Sequence, residues 1–124
     1  PIVPDGEPFP YFEDATTIVG DESFYYVSDR KRHRVLVFRR SDIERRVDEP
    51  RAVMVIGQKT FSGETANAGD GNGVPNARGL ANPTDLAIYD NRLYVVDLYN
   101  CRIVRFPVPS AAVLESTMPA DQNN

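Results

Sequence analysis

The sequence predicts an all-β chain in which one antiparallel strand unit occurs twice. Three observations carry this. Apolar residues come in short runs rich in Val, Ile, Tyr and Phe, each bounded by turn residues, which is the pattern of strands. Ten Pro and eight Gly punctuate 124 residues, a density that favours turns over helices. The stretch YYVSDRKRHRVLVF (Tyr25 to Phe38) recurs as LYVVDLYNCRIVRF (Leu93 to Phe106) at a constant offset of 68 residues, and an internal repeat of this kind decides a fold.

Taken in order, residues 1–12 contain Pro1, Pro4, Pro8 and Pro10 and read as an extended leading segment. Strands are expected at 15–19, 24–28, 35–39 and 52–57. Several are apolar at nearly every position, as in strands covered on both faces. Between the third and fourth, Ser41 to Val47 (SDIERRV) fits a single helical turn that Ser41 could cap, with Glu44 three residues later. The stretch Gln58 to Pro83 is polar and rich in Gly and Asn. It reads as a loop that buries little, and a loop this long is usually functional, mobile or family-specific. The strand pattern resumes at 84–89, 93–97 and 102–106, more weakly at 111–114, and the tail is polar.

Length limits the chain to one domain. Six Tyr, six Phe and no Trp suit an all-β core. The net charge of −4 argues against a surface that coats nucleic acid throughout. The single cysteine, Cys101, excludes an intrachain disulfide, and no stretch is long and apolar enough to span a membrane. The chain begins at Pro1 with no visible signal peptide, as a processed, trimmed or fragmentary chain would.

Within the repeat, Tyr26 matches Tyr94, Val27 matches Val95, Asp29 matches Asp97, Arg34 matches Arg102, Val35 matches Ile103 and Phe38 matches Phe106. Each unit reads as a hairpin in which the Asp caps the turn by accepting backbone N–H bonds. The Arg five residues later lies across the hairpin and pairs with it. Asp29–Arg34 and Asp97–Arg102 are therefore expected to be structural fasteners, because catalytic carboxylates would not recur at the same place in each copy. A meander of this kind cannot cover both of its own faces, so copies must stack.

These residues resemble the NHL repeat: an apolar strand after a Pro, then Leu-Tyr-Val-x-Asp, then Asn-x-Arg-[Val/Ile]. The second copy, ANPTDLAIYDNRLYVVDLYNCRIVRF (Ala81 to Phe106), fits almost throughout. The first departs at Ala15, where the second has Pro83, and at Arg32, where the family has Asn. The segment Val55-Ile56-Gly57-Gln58-Lys59-Thr60-Phe61 is similar to a subgroup carrying VxGQxxF between repeats, followed by an Asn/Ala/Gly-rich loop leading to Asn-Pro. The resemblance implies a β-propeller, commonly six blades of four antiparallel strands. It divides the chain into a leading segment at 1–14, blade one at 15–57, an inter-blade loop at 58–83, and an incomplete blade two with a polar tail at 84–124. The missing fourth strand is expected near residue 120. Two blades cannot close a ring and leave apolar faces and edges exposed. Either the chain is a fragment of a longer propeller, the reading preferred here, or several copies join, three making six blades.

In such a meander the turn between strands two and three shares a face with the connection between blades. That places Arg30, Lys31, Arg32 and His33 beside Leu98, Tyr99, Asn100 and the loop at 58–83, and makes this face the candidate binding surface. Three function classes are open. The basic run Arg30 to Arg34 raises RNA binding, as in some TRIM-type NHL propellers, although interleaved acids and the uncharged Leu98–Tyr99 fit a solvated turn better. The peptide-amidating lyase is similar in fold and uses metal, and His33 and Cys101 occupy matching repeat positions, but two ligands are not a zinc site. Asp70-Gly71-Asn72-Gly73 lacks the spacing and terminal Glu of a calcium loop. No nucleophile elbow, phosphate loop or nucleophile–base pair is present, and no cofactor or metal is expected. The third class is a non-catalytic interaction module for a protein, a glycan or copies of itself. The resemblance points to an extracytoplasmic, secreted or cell-envelope location.

Overall fold

A computed structural model describes residues 12–46, 48, 50–58, 63–67 and 78–109. The leading prolines, the Asp70–Gly73 stretch, the weak strand at 111–114 and the strand expected near 120 lie outside the described residues.

The regular structure of the described chain is mostly antiparallel β. Strands β1 (Ala15–Gly20), β2 (Phe24–Asp29), β3 (Arg34–Arg39) and β4 (Ala52–Ile56) form one sheet in the order β1-β2-β3-β4. Strands β5 (Pro83–Tyr89), β6 (Arg92–Asp97) and β7 (Arg102–Pro107) form a second in the order β5-β6-β7. Local chemistry explains the connections. Asp90 and Asn91 both take positive φ, 51° and 59°, making the two-residue turn whose twist matches a hairpin. At the equivalent corner of the first sheet, Asp21 Oδ1 accepts the N–H groups of Ser23 and Phe24 at 2.9 and 2.8 Å, an Asx turn.

The two sheets share register as well as sequence. Asp29 pairs with Arg34 as Asp97 pairs with Arg102. The ladder of each first strand slips at the same place, between Ala15 and Thr17 and between Pro83 and Asp85. The two residues in those slips meet: Thr16 Oγ1 donates to the Thr84 carbonyl at 3.1 Å. Strand β1 lies against β5, whereas their outer counterparts β3 and β7 make at most marginal contact. The sheets are therefore splayed about an axis that runs close to Thr16 and Thr84.

The main core lies between the sheets. It joins Phe24, Tyr26, Val35, Val37, Met54 and Ile56 of the first sheet to Leu86, Leu93, Val95 and Phe106 of the second. A smaller cluster of Leu36, Phe38, Ala52 and Val55 lies on the opposite face of the first sheet, against Phe12 and Ile43. Tyr26 hydrogen-bonds its hydroxyl to Asp21 Oδ2 at 2.9 Å, and burial first, then Asp21, pushes its phenol well above the usual range.

Two expectations are corrected. The helical turn forms, but as α1 (Arg40–Glu44), one residue early and with no side-chain cap bond. Arg40 decides the start. Its N–H bonds the Ser23 carbonyl at 2.8 Å, its Nη1 bonds the Asp21 carbonyl at 2.6 Å, and its Nε bonds Glu44 at 2.8 Å. Glu44, expected in a capping box with Ser41, is instead held by Arg40 and the Tyr25 hydroxyl. The second correction concerns the long loop. Its described ends are partly buried: Gln58, Asn67, Leu80, Ala81 and Asn82 are buried, and Leu80 belongs to the main core, while Glu64, Thr65 and Arg78 are exposed.

Candidate interaction face

Each hairpin between the second and third strands of a sheet closes through one turn of 3-10 helix, Arg30–Arg32 in the first sheet and Leu98–Asn100 in the second. Both end on a residue in the left-handed region, His33 at φ 57° and Cys101 at φ 54°. Neither Asp29 nor Asp97 caps its turn through a side-chain bond, contrary to expectation. Their carboxylates reach back instead to the backbone that leads into the sheet. Asp29 Oδ1 accepts the N–H groups of Glu13 and Asp14 at 3.1 and 2.8 Å. Asp97 Oδ1 accepts that of Ala81, the repeat equivalent of Glu13, at 2.6 Å.

The other carboxylate oxygen of each Asp holds the arginine across the hairpin. Arg34 Nε donates to Asp29 Oδ2 at 3.1 Å and Arg102 Nε to Asp97 Oδ2 at 2.7 Å. Asn100 also donates to Asp97 Oδ2 at 2.7 Å and bridges to Asn67 Oδ1 at 2.7 Å. Each Asp thus fastens the leading backbone to the third strand, and Asp97 adds the turn through Asn100. Both pairs do structural work with their charge, and neither carboxylate is aimed at open solvent.

The two turns and the described ends of the long loop are bonded into one surface. Gln58 is buried beneath the first turn. Its Nε2 donates to the carbonyls of His33 and Thr65 at 3.0 and 2.8 Å, and its Oε1 accepts the Thr65 N–H at 3.3 Å. Gly57 precedes it at φ +99°, and a Cβ there would sit 2.9 Å from the His33 carbonyl and 2.8 Å from Leu80 Cδ1, so only glycine fits. His33 Nδ1 accepts the N–H of Asn82 at 2.9 Å, which leaves the ring proton on Nε2. Desolvation lowers the His33 pKa, against the opposing pull of Asp97, Asp29 and Glu64. On the second turn, the N–H groups of Leu98 and Tyr99 bond the carbonyls of Asn82 and Ala81 at 3.4 and 3.0 Å.

The candidate residues have different fates. Arg30 Nε pairs with Asp14 at 2.6 Å. Arg32, mostly buried, lies 3.6 Å from Glu13 and 3.7 Å from Glu64, and Arg34 is fully buried on Asp29. The basic run is thus largely neutralised by neighbouring acids, and Lys31 stands exposed. On the second turn Leu98 and Tyr99 are exposed and uncharged, Cys101 is exposed, and Asn100 is engaged. His33 spends its Nδ1 on Asn82, and among the described residues no group of three or more His, Cys, Asp or Glu side chains is placed to hold a metal ion. Gln58, Asn67, Leu80 and Asn82 complete the face without having been singled out as site residues. The available signal was an Asn at each left-handed position, Asn67 at φ 55° and Asn82 at φ 64°, and one apolar residue, Leu80, stranded in a polar loop.

Comparison with protein-family models, with curated proteins and with solved structures yields no match for this chain.

Proposed function

We propose that the chain is a non-catalytic interaction module of the NHL-propeller type that presents the face built by its two turns to a protein or glycan partner. The observation that carries this reading is the hydrogen-bonded mounting of that face. Gln58 holds the His33 carbonyl of the first turn, and the carbonyls of Asn82 and Ala81 hold the Leu98 and Tyr99 N–H groups of the second, while Lys31, Leu98 and Tyr99 are exposed and differ between the repeats. A rigid frame with variable outward side chains suits recognition, because little ordering cost remains to be met on binding. An exposed Tyr beside an exposed Leu is the composition of an interaction hot spot. The propeller reading is supported by the shared register of the sheets, the Thr16–Thr84 contact near their common axis and the core between their faces. The local neutralisation of Arg30, Arg32 and Arg34 removes most of the charge that phosphate recognition would use.

A glycan array and a cross-linking screen on intact chain, each run beside the Leu98→Ser/Tyr99→Ser double variant, test the reading. Bound ligands are expected to be lost in the double variant, with the far-UV circular dichroism unchanged. Retention of every ligand by that variant would overturn it.

A further inference from the structure

The repeat allows each face of each sheet to be compared with its counterpart 68 residues away, and the comparison singles out two faces on which no second sheet packs among the described residues. The second sheet packs on the first through Leu86, Leu93, Val95 and Phe106. Their counterparts in the first sheet are Ile18, Tyr25, Val27 and Phe38. Those four line an apolar groove of about 460 Å³ on the side of the first sheet away from the second, with Phe12 and Ile43. Leu86 is 7% exposed in the interface, whereas Ile18 is 55% exposed in the groove.

The converse holds on the outer face of the second sheet. The first sheet receives the second on Phe24, Tyr26, Val35 and Val37. The counterparts are Arg92, Tyr94, Ile103 and Arg105. The register opposes Tyr94 to Arg105 and Val96 to Ile103 across β6 and β7, so these side chains share a face. Val35 is 0% exposed and Ile103 is 70% exposed. One unpartnered face therefore repeats the docking side of the internal interface and the other repeats its receiving side.

We propose that two copies of this chain associate head to tail, the Ile103 face of one receiving the Ile18–Tyr25–Val27–Phe38 groove face of the next. The contact is heterologous, because the two faces differ. It repeats the operation that relates the two sheets within one chain, a rotation about an axis near Thr16 and Thr84. Successive copies therefore curl towards a closed ring, as heterologous contacts do when their rotation closes. The inference rests on the repeat-module reading above, but uses the sheet faces and not the turn face.

Light scattering of the intact chain across low to high micromolar concentration tests it. An oligomer of defined mass is expected. Ile18→Asp and Ile103→Asp change exposed side chains and should each reduce the mass towards that of a single chain, with unchanged circular dichroism. Mixed together, each variant still owns one sound face, and the mixture is expected to form a one-to-one heterodimer and nothing larger. A folded wild-type monomer at every concentration overturns the proposal; those faces would then meet other repeats of a longer polypeptide. So does an oligomer that both variants leave intact, or a mixture that stays monomeric. The Leu98→Ser/Tyr99→Ser variant should keep the wild-type mass, so failure of ligand binding and failure of assembly are read separately.

Discussion

The charge pairs that fasten the two hairpins are chemically the same and energetically different. Arg34 is 0% exposed, whereas Arg102 is 28% exposed. Removing Arg34 strands a buried carboxylate whose remaining partners are the two backbone N–H groups of Glu13 and Asp14. Loss of one partner from a fully buried pair costs about 3–5 kcal/mol. Asp97 keeps Asn100 as well as Ala81 when Arg102 is removed, and water reaches the site, so the cost there should be about 1–2 kcal/mol. Arg34→Met is thus expected to lower the urea midpoint well beyond Arg102→Met at one protein concentration, with unchanged slopes. Equal losses would show that the difference in burial does not govern these sites. The spacing of Asp and Arg made both pairs legible in the sequence. The backbone that the carboxylates bind was not, because Glu13 and Ala81 each lie 16 residues from their acceptors and nothing local marks them as donors.

At the scale of elements, the joint between the sheets depends on the only histidine. His33 closes the first turn, and its Nδ1 takes the N–H that leads into β5. That bond requires the neutral ring, and burial lowers the pKa below the usual imidazole range. A group whose folded-state pKa is depressed holds fewer protons when folded than when unfolded. Stability therefore rises with pH through the window between the two pKa values. The contribution of His33 is complete above about 6.5 and is lost as pH falls below it. Asp97, Asp29 and Glu64 face the ring and moderate the loss. His33→Asn offers an acceptor at a similar reach, tolerates the left-handed backbone and does not titrate. It should match the wild type in thermal stability at pH 8 and exceed it at pH 5.5, and parallel pH profiles for the two proteins would refute the role. The positions of the seven described strands were legible from local periodicity and turn chemistry, because each depends on a few consecutive residues. The loop ends were not: their burial depends on Gly57 leaving room for Leu80 and on Gln58 finding the His33 carbonyl. Those contacts exist only once the turn and the loop are brought together.

For the whole molecule, the repeat predicts symmetry, and among the described residues the two sheets depart from it in how they are covered. In the first sheet β3 lies between β2 and β4 and is buried on both faces, against the main core on one side and Phe12 and Ile43 on the other. Its counterpart β7 is an edge among the described residues, with Ile103 and Arg105 outward. Sequence alone could not assign this difference, since Val35 and Ile103 are interchangeable by composition and differ only in what lies over them. Amide exchange follows local opening, which is easiest where few apolar contacts cover the hydrogen bonds. At concentrations where the chain is a monomer, amides of Val35, Leu36 and Val37 should therefore exchange much more slowly than those of Ile103, Val104 and Arg105. A pairwise comparison at matched repeat positions removes most of the local sequence effect. If β7 gains protection as concentration rises, while β3 does not, the gain locates the newly covered surface on the second sheet. If β7 is already protected like β3 in the dilute monomer, an element outside the described residues covers it, and the outer face is not available to a second copy.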